Sequence, residues 1–196
     1  MISDQLTELH KSAIADVAIA GAELESSLEW FIADLCGLNP AHAAILLGNV
    51  RLDAKLNTPQ QIVESDPPST AGQERLAFAI ANLKNLNAQR NTIIHGQWMP
   101  QSWPPSFASP KRIAEDIRNN NLVAFTRKHG KPPRTVSASK IRKVAELTVL
   151  NHELLTYLLC EYFPERVIRM VGVAGSPKSE SIRLQEKIRK RSQNPQ

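Results

Sequence analysis

The sequence predicts an all-α fold, a helical bundle with a small β-hairpin or loop insertion before the last core helix. Apolar residues recur at three- and four-residue steps along three long stretches of the chain, which is the spacing of a buried helix face. Between the second and third stretches, the pattern changes to scattered prolines and short alternating segments, which are typical of loops and strands. These two observations determine the predicted fold class.

Three helices are predicted in the first third of the chain. The first runs from residue 3 to about residue 36, and Gly37 ends it. The Asn-Pro pair at positions 39 and 40 favours the start of a short second helix. A third helix covers residues 50–64, where Pro59 either kinks or restarts it.

A long helix is predicted over residues 70–95, because a capping pattern precedes its apolar stripe and Gly96 follows it. Near the end of this helix, Asn87 and Arg90 take positions that belong to the apolar stripe. Polar side chains on a face that packs against other helices are a sign of a functional site. This helix end is therefore where we expect the chemistry.

The insertion is predicted over about residues 97–138. A short strand at 97–99 and a hairpin formed by residues 122–126 and 134–137 are expected within it. A final core helix then begins at Ser139 and ends near residue 164. Residues 1–165 are thus predicted as one helical domain, and residues 166–196 as a linker and a basic C-terminal tail for which disorder is favoured.

The 196-residue chain has a net charge of +5, and this charge is unevenly distributed. Residues 1–36 carry a net charge of −6, residues 37–175 carry +7, and residues 176–196 carry +4. A basic surface of this kind permits a phosphate-bearing partner, although charged helices are commonly just solvated. The two cysteines, Cys36 and Cys160, lack the spacing of a zinc site, and the apolar helical context of each predicts a buried thiol. The absence of a signal-like start or a long apolar run predicts a cytoplasmic protein.

The segment Arg90-Asn91-Thr92-Ile93-Ile94-His95 combines the residue types that act on phosphodiesters. Histidine titrates near neutrality, which suits it to proton transfer, and arginine binds phosphate oxygens through several donors. On a straight helix, Asn91 and His95 lie about 40° apart and Arg90 and His95 about 140° apart. Arg90 and His95 are therefore expected to flank a groove rather than touch. The alternative is a structural polar contact in a helix bundle.

This segment resembles the signature of the HEPN superfamily, in which an Arg and a polar neighbour precede a His by four to six residues. The acidic first helix with Leu24-Glu25-Ser26-Ser27-Leu28-Glu29-Trp30-Phe31 and the later Leu46-Leu47-Gly48 and Lys55-Leu56 follow the same order of helices. The resemblance covers residues 1 to about 165. One subtype of the family has a Tyr two residues after the His, where this chain has Gln97.

The resemblance implies a metal-independent endoribonuclease without a cofactor, working as a homodimer whose two helix ends share one cleft. Arg90 would hold the phosphate, Asn91 would orient His95 or the phosphate, and His95 would act as general acid or base. It also implies a toxin or phage-defence effector, with an antitoxin or regulatory partner. A non-catalytic HEPN module for dimerisation or ligand binding, and an adaptor that binds nucleic acid without cutting it, remain the alternatives.

Further RNA contacts are predicted from single residues, each with a structural alternative. Lys55 corresponds to a basic position near the cleft in similar sequences, although a solvated lysine is favoured. Trp98 is a candidate to stack on a base, and the structural alternative is that it packs the loop onto the bundle. In the tail, the basic residues Arg189, Lys190 and Arg191 would attract RNA electrostatically.

Overall fold

The computed structural model describes residues 8–65, 70–100, 109–119, 122–125, 134–162 and 177–193 of the chain. Within these ranges the protein is predominantly helical, which confirms the all-α prediction. The helices are α1 Glu8–Leu35, α2 Pro40–Leu47, α3 Leu52–Ser65, α4 Thr70–His95, α5 Pro110–Arg118, α6 Ala138–Tyr162 and α7 Pro177–Gln193. The strands are β1 Gln97–Pro100, β2 Leu122–Phe125 and β3 Arg134–Thr135.

Local sequence signals account for the boundary between α1 and α2. Gly37 takes a positive φ of 63°, and the backbone N–H of Leu38 donates to the carbonyl of Ala33 at 2.8 Å. Glycine enters this left-handed region without the steric penalty of a side chain, so the helix stops where predicted. The side chain of Asn39 then accepts a hydrogen bond from the backbone N–H of His42, which caps α2.

The chain divides into two compact units. The first unit contains Met1–Ala20 and Ala88–Glu146, and the second contains Gly21–Asn87 and Leu147–Gln196. In the second unit a single apolar cluster is built from α1, α3, α4, α6 and α7, with every contributing helix facing it through residues at helical spacing. Its largest fully buried members are Leu24, Leu28, Leu56, Leu76, Ile80, Leu83, Leu154, Leu155 and Leu158.

The two cysteines differ in environment. Cys160 is buried in the apolar cluster of the second unit, and this burial raises the pKa of its thiol. Cys36, just beyond the end of α1, is exposed. The sequence predicted a buried apolar role for both, which is confirmed for Cys160 and wrong for Cys36.

The first unit contains the insertion, in which the three strands form one antiparallel sheet in the order β1-β2-β3. Val123 pairs with Thr135, so the predicted hairpin is confirmed, although its strands are shorter than expected and its turn lies outside the described residues. Gln97 pairs with Phe125, which joins the predicted short strand to the hairpin. Buried side chains of this unit come from α1, α4, β1 and α6 and include Ala13, Val17, Ile93, Trp98, Ile141 and Val144.

Helix α5 was not predicted. Its N-terminus carries the expected signals, since the Ser109 hydroxyl accepts a hydrogen bond from the backbone N–H of Arg112 and Pro110 occupies the first helical position. The surrounding prolines and the short length of the helix obscured this signal in the sequence.

The C-terminal segment differs from the predicted disordered tail. Residues Pro177–Gln193 form α7, and its Ser181, Leu184 and Ile188 are buried, the two apolar residues within the apolar cluster of the second unit. These residues stand three and four positions apart and so share one helix face. The many charges around them hid this narrow stripe. The predicted linker over residues 166–176 lies outside the described residues.

The packing of α7 predicts that Ile188→Ala destabilises the protein by about 2 to 5 kcal/mol, because it removes a buried side chain that is 1% exposed. The matched control is Ile182→Ala on the same helix, where the side chain is 42% exposed and the expected change stays within about 0.5 kcal/mol. Urea denaturation monitored by circular dichroism measures both free energies of unfolding. Equal values for the two variants would contradict the packing of α7.

Candidate functional site

The predicted motif lies in the last turns of α4, within the first unit. Arg90 and Asn91 are half-buried, whereas His95, the last residue of the helix, is exposed. Because α4 continues without interruption to His95, Arg90 and His95 point to different sides of the helix, about 140° apart. A single copy of the chain therefore does not bring the imidazole and the guanidinium into contact through this helix.

Arg90 is held by its neighbour and has one unsatisfied donor. Its Nη1 donates to Oδ1 of Asn91 at 3.4 Å, while its Nε is buried and has no hydrogen-bond partner among the described residues. A buried N–H group without a partner costs about 1 to 3 kcal/mol, so an acceptor that reaches this atom is favoured. Phosphate oxygens are strong acceptors for arginine.

Asn91 was predicted to orient His95 or a phosphate. In the structure its side-chain oxygen accepts from Arg90, and no hydrogen bond joins it to His95 within the described part of the chain. The geometry thus links Asn91 to the guanidinium rather than to the imidazole. The contact between the two neighbouring side chains orients the guanidinium.

Trp98 is buried next to the motif, so the prediction that it stacks on a base is wrong and the packing alternative is confirmed. Its indole Nε1 donates to the backbone carbonyl of Ile93 at 3.1 Å, which satisfies one of the free carbonyls at the end of α4. Its ring also meets His10 edge to face, with ring centroids 6.2 Å apart. Trp98 therefore fixes the helix end that carries His95.

His10 is fully buried in the first unit. Burial lowers the pKa of its imidazole, and a hydrogen bond with the Val136 backbone offsets only part of this effect. His152 in the second unit is half-buried, and burial lowers its pKa as well, against the opposing charges of Glu23 and Glu153.

Lys55 lies in the second unit and is not available to a nucleic acid. Its side chain is 0% exposed, and its Nζ donates to Glu25 at 2.8 Å and also to Glu29. Burial alone lowers the pKa of Lys55, but the hydrogen bonds and charges of the two carboxylates outweigh it, so the net pKa is raised. Both the predicted RNA contact and the solvated alternative are wrong for this residue.

A second buried polar contact in the same unit was missed by the sequence analysis. Nδ2 of Asn87 donates to Oδ1 of Asp53 at 2.7 Å, and Oδ1 of Asn87 is buried without a partner among the described residues. The sequence singled out Asn87 as an interruption of the apolar stripe. It gave no indication of its partner, which lies 34 residues earlier in the chain.

The three basic residues predicted on the tail lie on α7 and are exposed. The guanidinium of Arg189 stands over the ring of Phe78, 5.3 Å from its centroid, which is a cation–π geometry. Lys190 and Arg191 extend from the same helix into solvent. These residues belong to the second unit, whereas the motif at the end of α4 belongs to the first.

No group of three His, Cys, Asp or Glu side chains within the described ranges is arranged to hold a metal ion. Of the helices that the structure describes, none has both the length and the apolar character required to cross a membrane. Comparison with known protein families, with curated proteins and with solved structures finds no match to this chain.

Removing the charge of Lys55 should destabilise the second unit. Lys55→Met leaves two carboxylates facing each other without their cation, and we expect a loss of about 2 to 4 kcal/mol, since both carboxylates retain partial contact with solvent. The triple variant Lys55→Met, Glu25→Gln, Glu29→Gln should recover most of this loss. Chemical denaturation at neutral pH provides the measurement, and a triple variant no more stable than the single one would refute the interpretation.

Acidification should destabilise the protein partly through His10. Because the folded-state pKa of His10 lies below its usual value of 6.5, the unfolded chain takes up a proton first as the pH falls. Stability is therefore retained above pH 6.5 and lost as the pH decreases below it. His10→Gln should show a smaller loss of unfolding free energy over this range than the wild type. An identical pH dependence in the two proteins would argue against a buried neutral imidazole.

Proposed function

We propose that this protein is a metal-independent endoribonuclease of the HEPN type, with Arg90, Asn91 and His95 as its active-site residues. The observation that carries the proposal is the Arg90 guanidinium on the same helix end as an exposed histidine. Its buried Nε lacks a partner among the described residues, and its Nη1 donates to Asn91. The resemblance of the segment from Arg90 to His95 to the HEPN signature suggests a biological role as a toxin or a phage-defence effector.

The proposed reaction is a transesterification within RNA. The ribose 2′-oxygen attacks the adjacent phosphorus, the bond from phosphorus to the 5′-oxygen breaks, and the products are a 2′,3′-cyclic phosphate and a free 5′-OH. His95 takes the proton of the 2′-OH or gives one to the leaving 5′-oxygen. Arg90 binds the non-bridging oxygens and stabilises the charge that develops on them in the transition state.

A second copy of the chain completes this site. Since Arg90 and His95 are about 140° apart on α4, one helix cannot direct both side chains at the same phosphorus. Two helix ends related by a twofold axis would place the Arg90 of one copy and the His95 of the other around one phosphodiester, and would supply two imidazoles, one as base and one as acid. The proposed enzyme is therefore a homodimer.

The wild-type protein should cleave single-stranded RNA in the presence of EDTA, and His95→Ala and Arg90→Ala should each lower the cleavage rate by at least about 100-fold. Gel analysis of a labelled oligoribonucleotide gives the rate, and mass spectrometry of the products identifies the cyclic phosphate. A substrate with 2′-deoxyribose at the cleaved position should be resistant, because it lacks the attacking hydroxyl.

The matched control is His42→Ala, which removes an exposed histidine on α2 and should leave the cleavage rate unchanged. An active protein that elutes as a monomer under assay conditions would contradict the composite site. RNA binding without cleavage by the wild type would favour the nucleic-acid adaptor. Neither binding nor cleavage would favour a non-catalytic module for dimerisation or ligand binding.

A further inference from the structure

The charge of the second unit is concentrated on its C-terminal helix. Helix α7 carries six basic and two acidic residues over positions 177–193, a net charge of +4. The other described helices and loops of this unit, at residues 21–65, 70–87 and 147–162, carry nine acidic and four basic residues, a net of −5. Helix α7 is thus a strongly basic element in an otherwise acidic unit.

The buried stripe of α7 and its exposed cations lie side by side on the helix. Leu184 and Ile188 face the apolar cluster, whereas Lys187, Lys190 and Arg191 are all exposed. At about 100° per residue, these three cations fall within an arc of roughly 100° that begins with Arg191 beside the buried Leu184 and ends with Lys190. We call them the basic face. The packing of Leu184 and Ile188 fixes the orientation of this face.

The internal contacts of α7 leave most of the basic face without carboxylate partners. Arg183 pairs with Glu180 at 2.7 Å, and Arg189 stands over Phe78, so these two residues serve the helix and its packing. Lys187 and Lys190 have no carboxylate within 4.0 Å in the part of the chain that the structure describes. The acidic residues of the described part of this unit therefore do not neutralise Lys187 and Lys190 through direct ion pairs.

The exposed residues from Glu186 to Gln193 are all charged or polar. A protein partner needs apolar or aromatic anchors at the centre of its interface, whereas the phosphate backbone of a nucleic acid is bound by cations alone. We infer that the basic face of α7 binds the phosphate backbone of single-stranded RNA. That the phosphate polyanion is RNA rests on the proposed function, whereas the binding itself does not depend on the chemistry at His95.

The test uses full-length protein carrying His95→Ala, so that RNA remains intact during the measurement. Fluorescence anisotropy gives Kd for a labelled single-stranded oligoribonucleotide over a series of salt concentrations. Each lost phosphate contact lowers the slope of log Kd against log salt by about 0.7, so Lys187→Gln, Lys190→Gln, Arg191→Gln together should lower it by about 2. Thermal unfolding should be nearly unchanged, because all three side chains are exposed.

The charge-matched control is Lys111→Gln, Arg112→Gln, Arg118→Gln, which removes three exposed cations from α5. Its slope should equal that of the parent. An equal decrease in the control, or an unchanged slope in the α7 variant, overturns the inference. So does a protein that binds polyglutamate through these residues and does not bind RNA. Wild-type protein that binds RNA with the expected slope but does not cleave it refutes the proposed nuclease and leaves the inference standing.

Discussion

The burial of the Lys55 ammonium group constrains the packing of the second unit more than any other polar interaction described. A cation removed from water is tolerated only where opposite charge and hydrogen bonds replace its hydration. Glu25 and Glu29 supply both from positions four residues apart on α1. The two carboxylates would repel each other on an isolated helix. Packing of α1 against α3 therefore gives the carboxylates a cation and gives the buried ammonium group of Lys55 its counter-charges.

Helix α3 also contacts α4, because Asp53 of α3 accepts a hydrogen bond from Asn87 of α4. Apolar side chains alone permit small rotations and shifts between helices, since many arrangements bury similar areas. A buried lysine and a buried amide do not, because a shift of one turn leaves each without its partner. We interpret these contacts as setting the register of α3 between α1 and α4. The Oδ1 of Asn87, which has no partner in the described part of the chain, is part of their cost.

The sequence predicted those features that depend on neighbouring residues. The end of α1 at Gly37, the cap at Asn39 and the full length of α4 follow from local backbone chemistry and apolar spacing. The environment of Lys55 did not follow, because its partners lie 26 and 30 residues away and a lysine in a helix is normally solvated. Helix α7 was not predicted for a related reason. Only two of its apolar side chains are buried, so its sequence pattern differs little from that of a disordered basic segment. At the motif, the helix end was predictable from the sequence. The contact of Trp98 with the Ile93 carbonyl depends on tertiary packing, and so does the burial of the Arg90 Nε, which has no partner within the described ranges.

The contrast between the two thiols provides an internal reporter of folding. At mildly alkaline pH an exposed thiolate attacks an alkylating reagent and displaces its leaving group, so the exposed Cys36 reacts while the buried Cys160, with its raised pKa, is protected. Native protein is therefore modified once, and unfolded protein twice. Because Cys160 belongs to the same apolar cluster as Leu184 and Ile188, the appearance of the second adduct times the opening of that cluster. The added mass counts unfolded molecules without any engineered probe.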